Sequence, residues 1–304
     1  MTAKNSSSTL LITGTGALAS LFGARLAAAG VEVTMLGSWP EGLAALRAHG
    51  VRLVEADGAQ RAWPVRIAAD PAECRGIPYA LVLVKAWQTE RAAQQLAACL
   101  PADGLALTLQ NGWGNREALE QALGPDRVAL GTTTLGATLL APGVVRAGGQ
   151  GPVTLGSHPR VQPLAELLRA AGFDVRLTGD VDGLAWGKLV INAAINPLTA
   201  LLRAPNGQLL ERPEARALMG LAASEAAAAG LAQGLHLPFD DPVAAAEDVA
   251  RRTAVNHSSM YQDVQRGRPT EIDAICGAVV QAGQRVGVAT SVNRTLWLLV
   301  RAIR

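Results

Sequence analysis

The sequence predicts an α/β fold in two parts: a doubly wound parallel sheet over residues 1–180, then an all-helical domain over residues 181–304. Three observations lead there. Short, nearly continuous apolar runs alternate with amphipathic stretches through the first half, as expected of strands buried on both faces and of the helices that cover them. A glycine-rich turn stands at the first strand–helix junction, in the segment Gly14 to Ala19. Strand signals stop after Thr178-Gly179-Asp180, and helical periodicity follows to the end of the chain.

The strand candidates are Leu10–Thr13, Val31–Leu36, Leu81–Val84, Leu105–Leu109 and Val128–Gly131, each short and rich in Leu, Ile or Val. Helical patterns between them cover Ala17–Ala29, closed by Gly30; Glu90–Cys99, ahead of Pro101; and Asn115–Leu123, closed by Gly124. Gly- and Pro-punctuated runs from Leu135 to Ser157 predict an antiparallel hairpin. A helix over Gln162–Ala171 and a strand over Asp174–Leu177 complete the first domain. Helices are then expected over Val181–Asn196, Glu214–Leu231, Pro242–Thr253, Glu271–Val286 and Val292–Ile303. Pro197 should end or kink the first of these, because it has no N–H to donate. Thr270, with Asp273 three residues on, has the spacing of a capping box for the fourth.

Composition excludes several classes. With 27 basic and 25 acidic side chains the net charge is +2, so no nucleic-acid surface is expected. No uncharged apolar stretch reaches the ~18 residues of a membrane span, and no membrane partner is expected. The apolar run Leu10–Phe22 is broken by Gly14 and Gly16 and followed by Arg25, which argues against a secretory leader. Cys74, Cys99 and Cys276 form no C-x-x-C pair and read as reduced thiols in a cytoplasmic protein. The histidines are scattered without metal-ligand spacing, so no metal is expected, and no G-x-S-x-G nucleophile motif occurs. Trp63, Trp113 and Trp297 read as core or subunit contacts, and the C-terminal helices are candidates for a homodimer interface.

The candidate site has two ends. Gly14-Thr15-Gly16-Ala17-Leu18-Ala19 is a G-x-G-x-x-A turn between a strand and a helix. The first glycine makes the turn, the second admits a pyrophosphate, and the small Ala19 allows close helix–sheet packing. An NAD-binding chain carries an acid about 20 residues later to hold the ribose hydroxyls. Here that segment is Leu36-Gly37-Ser38-Trp39-Pro40, with no acid before Glu41, which favours NADP over NAD. Ser38 is the candidate donor to a 2′-phosphate, with Arg47 as an arginine that would reach it.

The chain has only three lysines, Lys4, Lys85 and Lys188. Lys85 follows an apolar run directly, as Gln110-Asn111-Gly112 does, and both stand at carboxyl ends of sheet strands, where open α/β sheets bind ligands. Lys188, Asn192 and Asn196 recur every four residues and share one helical face. A solvated polar stripe is the simpler explanation, but surface stripes in this chain use Arg and Glu.

These segments taken together resemble the ketopantoate reductases (2-dehydropantoate 2-reductases) over nearly the whole length. The resemblance rests on the glycine turn, Val84-Lys85-Ala86-Trp87-Gln88, Gln110-Asn111-Gly112, Gly131-Thr132-Thr133-Thr134, Lys188 through Asn206-Gly207, and Ser258-Ser259-Met260 through Thr270-Glu271-Ile272-Asp273. It implies a Rossmann-type cofactor domain and NADPH-dependent reduction of a small 2-keto acid, 2-dehydropantoate, on the pantothenate route. Lys188 would be the proton donor, and Asn192, Asn196, Asn206 and Ser259 would hold the substrate. Asn111 would lie between substrate and nicotinamide; Lys85, Ala137 and Glu271 would line the cofactor. Two positions depart from the family pattern: Ala19 replaces the third glycine, and Ser38 stands where the family has an arginine for the 2′-phosphate. A reductase of another 2-keto acid, a β-hydroxyacid dehydrogenase or a silent NADP-binding regulator are the alternatives.

Overall fold

The computed structural model describes residues 8–55 and 57–303; Lys4 lies outside them. The chain forms two compact units. The first runs to Gln110 and resumes over Asn115–Val181; the second joins Asn111–Gly114 to the chain from Asp182 onward.

The first unit contains strands β1 (Thr9–Thr13), β2 (Glu32–Leu36), β3 (Val51–Val54), β4 (Gln60–Trp63), β5 (Arg66–Ala68), β6 (Tyr79–Val82), β7 (Leu105–Thr108), β8 (Val128–Thr133), β9 (Ala137–Ala141), β10 (Val144–Ala147), β11 (Val153–Gly156) and β12 (Val175–Thr178). Its helices are α1 (Ala17–Ala28), α2 (Pro40–His49), α3 (Thr89–Cys99), α4 (Asn115–Leu123) and α5 (Gln162–Ala170). Eight strands make one sheet in the order β12-β11-β8-β7-β6-β1-β2-β5, parallel throughout except where β11 runs antiparallel to β8. Alternation along β1 explains why Leu10, Leu11 and Ile12 at its centre are all apolar. Leu10 and Ile12 enter the core on one face of the sheet and Leu11 the core on the other.

Two sequence expectations change here. The hairpin of β9 and β10 forms, but it belongs to a separate four-stranded sheet, β4-β3-β10-β9. Strands β3 and β4 carry no continuous apolar run; β3 alternates buried and half-buried residues and β4 is largely exposed, so neither announces itself as a buried strand. The strand expected at Leu81–Val84 is instead β6, Tyr79–Val82. Leu83 still donates its N–H to the Thr13 carbonyl at 3.0 Å. Beyond that bond β1 has turned away at Gly14, and no strand remains beside Val84 to pair with.

The second unit is built from α6 (Val181–Leu202), α7 (Gln208–Glu211), α8 (Pro213–Ala232), α9 (Pro242–Arg252), α10 (Ser259–Gln265), α11 (Ala278–Val286) and α12 (Ser291–Ala302). Its core is small-residue packing: Ala222, Ala223, Ala226 and Ala229 of α8 are fully buried with Trp186 of α6. The Trp186 indole donates to the Ala226 carbonyl at 2.8 Å, and a Cβ at Gly230 would collide with that ring.

Pro197 does not end α6, which continues unbroken to Leu202. Proline leaves the carbonyl four residues back, that of Ala193, without its helical donor. The Cys276 thiol lies 3.9 Å from that oxygen and acts as a weak donor. Burial, with a smaller contribution from the Glu225 carboxylate, raises the Cys276 pKa and keeps the proton on sulfur. The helix expected at Glu271–Val286 also differs. It opens as a π-turn over Asp273–Gly277, with the Gly277 N–H bonded to the Ile272 carbonyl at 3.0 Å, and becomes α-helical at Ala278. Thr270 does not cap it; the N-cap position is Ile272 and no side chain bonds there. The Asp273 carboxylate instead accepts from the Trp297 indole N–H at 2.7 Å.

Candidate active site

At the dinucleotide end, Gly14 turns the chain with φ +117°, a conformation that side chains disfavour. A Cβ there would lie 3.1 Å from the Leu83 carbonyl oxygen, so the turn is pressed onto the chain leaving β6. Strands β1 and β6 are neighbours, and the strand order reverses between them, the crevice where open α/β sheets bind ligands. Gly16 occupies the N-cap of α1, and no side chain caps its first turn. The space that a Cβ at Gly16 would take is empty to 4 Å. Uncapped N–H groups beside an open cradle suit a phosphate, which the helix dipole also favours. Thr15 and Ala19 are buried beneath the turn, while Ala17 and Leu18 are half-buried.

The chain leaving β6 reaches Lys85, half-buried, which opens a 3₁₀ turn over Ala86–Gln88; the Gln88 N–H donates to the Lys85 carbonyl at 2.8 Å. Gln110 is a brace. Its amide donates to the Val84 carbonyl at 2.9 Å and to the Thr89 hydroxyl at 2.8 Å, and Thr89 donates in turn to the Asn115 side chain at 2.8 Å. Ser38 lies exposed beyond β2 and accepts from Arg91 Nη1 of α3 at 3.1 Å. Arg47, the arginine expected from the sequence, is in the last turn of α2, about 10 Å along the axis from its start. Ala137 is the first residue of β9, half-buried in the smaller sheet.

At the carbonyl end, Lys188 and Asn192 are half-buried on α6 and Asn196 is buried, 7% exposed. Neither asparagine amide has a hydrogen-bond partner among the described residues. Side-chain amides left open on a largely buried helix face are the kind of group a polar ligand satisfies. Burial pulls the Lys188 ammonium down to about 8, against the opposing attraction of the Glu271 carboxylate. Glu271 is itself buried, two residues ahead of the π-turn. Such turns accompany functional sites often enough to be noted.

Ser259 and Asn206 are placed by a second network. Thr199 of α6 donates to the Ser258 hydroxyl oxygen at 2.7 Å, and that oxygen accepts from the Tyr261 N–H to cap α10, whose first residue is Ser259. Asn206 donates from its amide to Thr253 at 2.8 Å and from its backbone to the Asn256 carbonyl at 3.0 Å. Its Oδ1 is buried with no partner among the described residues. Asn111 belongs to this unit because its neighbours are fastened to it. The Trp113 N–H donates to the Ala274 carbonyl at 2.8 Å, Gly112 (φ +88°) sits where a Cβ would strike Ala274, and the Trp113 ring meets Trp186 edge-on at 4.9 Å. Trp186 precedes Lys188 by two residues. An ammonium able to release its proton, a carboxylate beside it and unengaged amides on one face can protonate and hold an oxygen-rich small molecule.

Comparison with known proteins converges on one family. Residues 10–160 match the model described as ketopantoate reductase PanE/ApbA, and residues 180–304 match its C-terminal counterpart. The chain belongs to the ketopantoate reductase family. It is 37% identical to the 2-dehydropantoate 2-reductase of Halobacterium salinarum, over 96% of this chain and 97% of that protein. The crystal structure of a PanE/ApbA family ketopantoate reductase from Ralstonia eutropha superposes with a TM-score of 0.91 at 32% identity, covering 97% of this chain and 98% of the other. D-mandelate dehydrogenase, solved with NADH and anilino(oxo)acetate, superposes with a TM-score of 0.89 at 26% identity over 97% and 98% of the two chains. As a ketopantoate reductase family member the protein is an oxidoreductase that uses a nicotinamide cofactor. Among the described residues no cluster could hold a metal ion, and no helix is long and apolar enough to cross a membrane.

Some of the site carried no sequence signal. The lysine face of α6 was legible because three polar residues share a period of four. The link from Thr199 to Ser258 joins residues far apart in the chain, and Arg91 is one arginine among many on helix surfaces.

Proposed function

We propose that this ketopantoate reductase family member reduces 2-dehydropantoate to (R)-pantoate, with NADPH as donor and Lys188 as the proton source, on the route to pantothenate and coenzyme A. The observation that carries the reading is the α6 face, where an ammonium brought to about 8 stands in line with two unengaged amides and beside Glu271. When bound, the nicotinamide supplies the hydride that reduces the C2 carbonyl. Negative charge then develops on the carbonyl oxygen, and Lys188 stabilises it and delivers the proton. Asn192, Asn196, Asn206 and Ser259 hold the substrate's carboxylate and hydroxyl, and Asn111 orients the substrate. The uncapped first turn of α1 at Gly16 receives the pyrophosphate, while Lys85 and Ala137 of the same unit line the cofactor. The buried free thiols of Cys74, Cys99 and Cys276 support a cytoplasmic setting.

One other reading has an observation behind it. The likeness to D-mandelate dehydrogenase admits a different 2-keto acid as substrate. Purified protein is to be assayed by loss of nicotinamide absorbance with 2-dehydropantoate, benzoylformate and short 2-keto acids. The proposal expects kcat/KM for 2-dehydropantoate to exceed the others by at least about 100-fold, the discrimination a site with dedicated hydrogen bonds readily achieves. Turnover of benzoylformate in preference to 2-dehydropantoate would sink it.

A further inference from the structure

The end of β2 is where a nicotinamide enzyme distinguishes its two cofactors, and in this chain the residues there are unusual. No acid is present to hold ribose hydroxyls, and the segment Leu36-Gly37-Ser38-Trp39-Pro40 carries no cation of its own. Ser38 is nevertheless well placed. A Cβ on the preceding Gly37 would lie 2.7 Å from the Thr15 methyl, so the end of β2 is pressed against the dinucleotide turn itself. Gly37 is fixed from the other side by its N–H bond to the Ala68 carbonyl at 3.2 Å.

We propose that Arg91, the third residue of α3, supplies the cation that the end of β2 lacks, and that Arg91 and Ser38 together read the 2′-phosphate of NADPH. The inference rests on the proposal above that the glycine turn binds a nicotinamide dinucleotide. Arg91 Nη1 donates to Ser38 Oγ at 3.1 Å, which leaves the serine proton for an acceptor. Among the described residues no carboxylate is paired with Arg91, although Glu90 adjoins it in the sequence and Glu41 lies three residues after Ser38. A guanidinium with open donors beside a hydroxyl presents N–H and O–H groups only. That set matches a phosphate dianion, which accepts everywhere, and offers a bare ribose diol little that water does not.

The test is a binding titration read without substrate. Wild type, Arg91→Ala and Arg91→Lys are each titrated with NADPH and with NADH by nicotinamide fluorescence, at low and at raised salt. Wild type is expected to bind NADPH more tightly than NADH. Arg91→Ala is expected to weaken NADPH by about 10- to 100-fold, the loss of one or two charge-assisted bonds, and to change NADH by less than about twofold. Arg91→Lys should recover part of the loss, because it restores charge without the fork. Raised salt should weaken NADPH binding to wild type more than to Arg91→Ala. The inference is overturned if wild type prefers NADH, if Arg91→Ala leaves NADPH affinity intact, or if it weakens both cofactors equally, which would make Arg91 a structural brace. A protein inert toward 2-dehydropantoate that still shows the NADPH-selective loss supports this inference while refuting the proposed reaction.

Discussion

Replacing Lys188 by arginine separates two services that lysine performs together, charge and proton delivery. The surroundings of Lys188 lower its pKa from 10.5 to about 8, chiefly by burial. That shift amounts to about 3 kcal/mol against the charged form, and it leaves the group mostly protonated at neutral pH while easing proton release. Arginine at the same place keeps its proton, since its pKa starts above ~12 and a shift of this size does not bring it into range. Lys188→Arg therefore retains the cation beside the developing oxyanion and loses the acid. General acid catalysis contributes about 10²–10⁴, so kcat should fall by at least about 100-fold. The assay is steady-state NADPH oxidation with 2-dehydropantoate from about pH 6 to pH 10, with NADPH binding and thermal midpoint as controls for an intact fold. For wild type the active form is protonated, so kcat holds below the lysine pKa and declines as pH rises through about 8. The arginine variant should have no such limb. Retention of more than about a tenth of wild-type kcat, or an unchanged alkaline limb, would refute the proton-donor role.

Glu271→Gln removes the carboxylate that raises the Lys188 pKa. The alkaline limb of kcat should then move to lower pH, and a pH profile that does not move would show that Glu271 does not act through the lysine. Gly16→Ala puts a Cβ into an empty cradle, with no neighbour within 4 Å. It should raise the Kd for NADPH by about tenfold or more, as blocked access to helix N–H groups would, while shifting Tm by only a few degrees. Glu225→Ala tests the helical unit. Glu225 of α8 accepts from the Val292 and Asn293 N–H groups at 2.9 Å each and from the buried Asn293 amide at 3.0 Å, and so caps α12 from another helix. Its loss should cost about 2–3 kcal/mol in urea unfolding, with the slope unchanged.

Much of the fold was legible because it follows local rules. β1, β2, β7 and β8 are apolar on both faces, and their runs had to be strands of a covered sheet. Of the strands that escaped notice, β3 and β4 pair with each other, and β3 with β10, in the small sheet, where half-exposure erases the apolar run; β5, only three residues long, pairs with β2 at the edge of the large sheet. Of the two expectations for Pro197, an end to the helix failed for a related reason. Proline's local cost is fixed by its missing N–H, but whether the freed carbonyl finds another donor is decided by the fold, and here the Cys276 thiol reaches the Ala193 oxygen from 83 positions away in the chain. Thr270 and Asp273 had the spacing of a capping box, yet the π-turn moves the helix start past Thr270 and assigns Asp273 to Trp297.

The sequence alone determined which chemistry is available. A lysine and two asparagines at intervals of four must share a helical face, and a glycine pair between strand and helix must expose amides, because both are consequences of backbone geometry within one element. Only the tertiary structure decided what surrounds those groups. The fall of the Lys188 pKa toward 8 needs burial and Glu271, which the fold brings to the lysine from 83 positions away. The meeting of Arg91 with Ser38 needs α3 packed beside the end of β2. Desolvation and Coulomb attraction depend on distance through space, and sequence spacing carries that distance only within a single helix or strand.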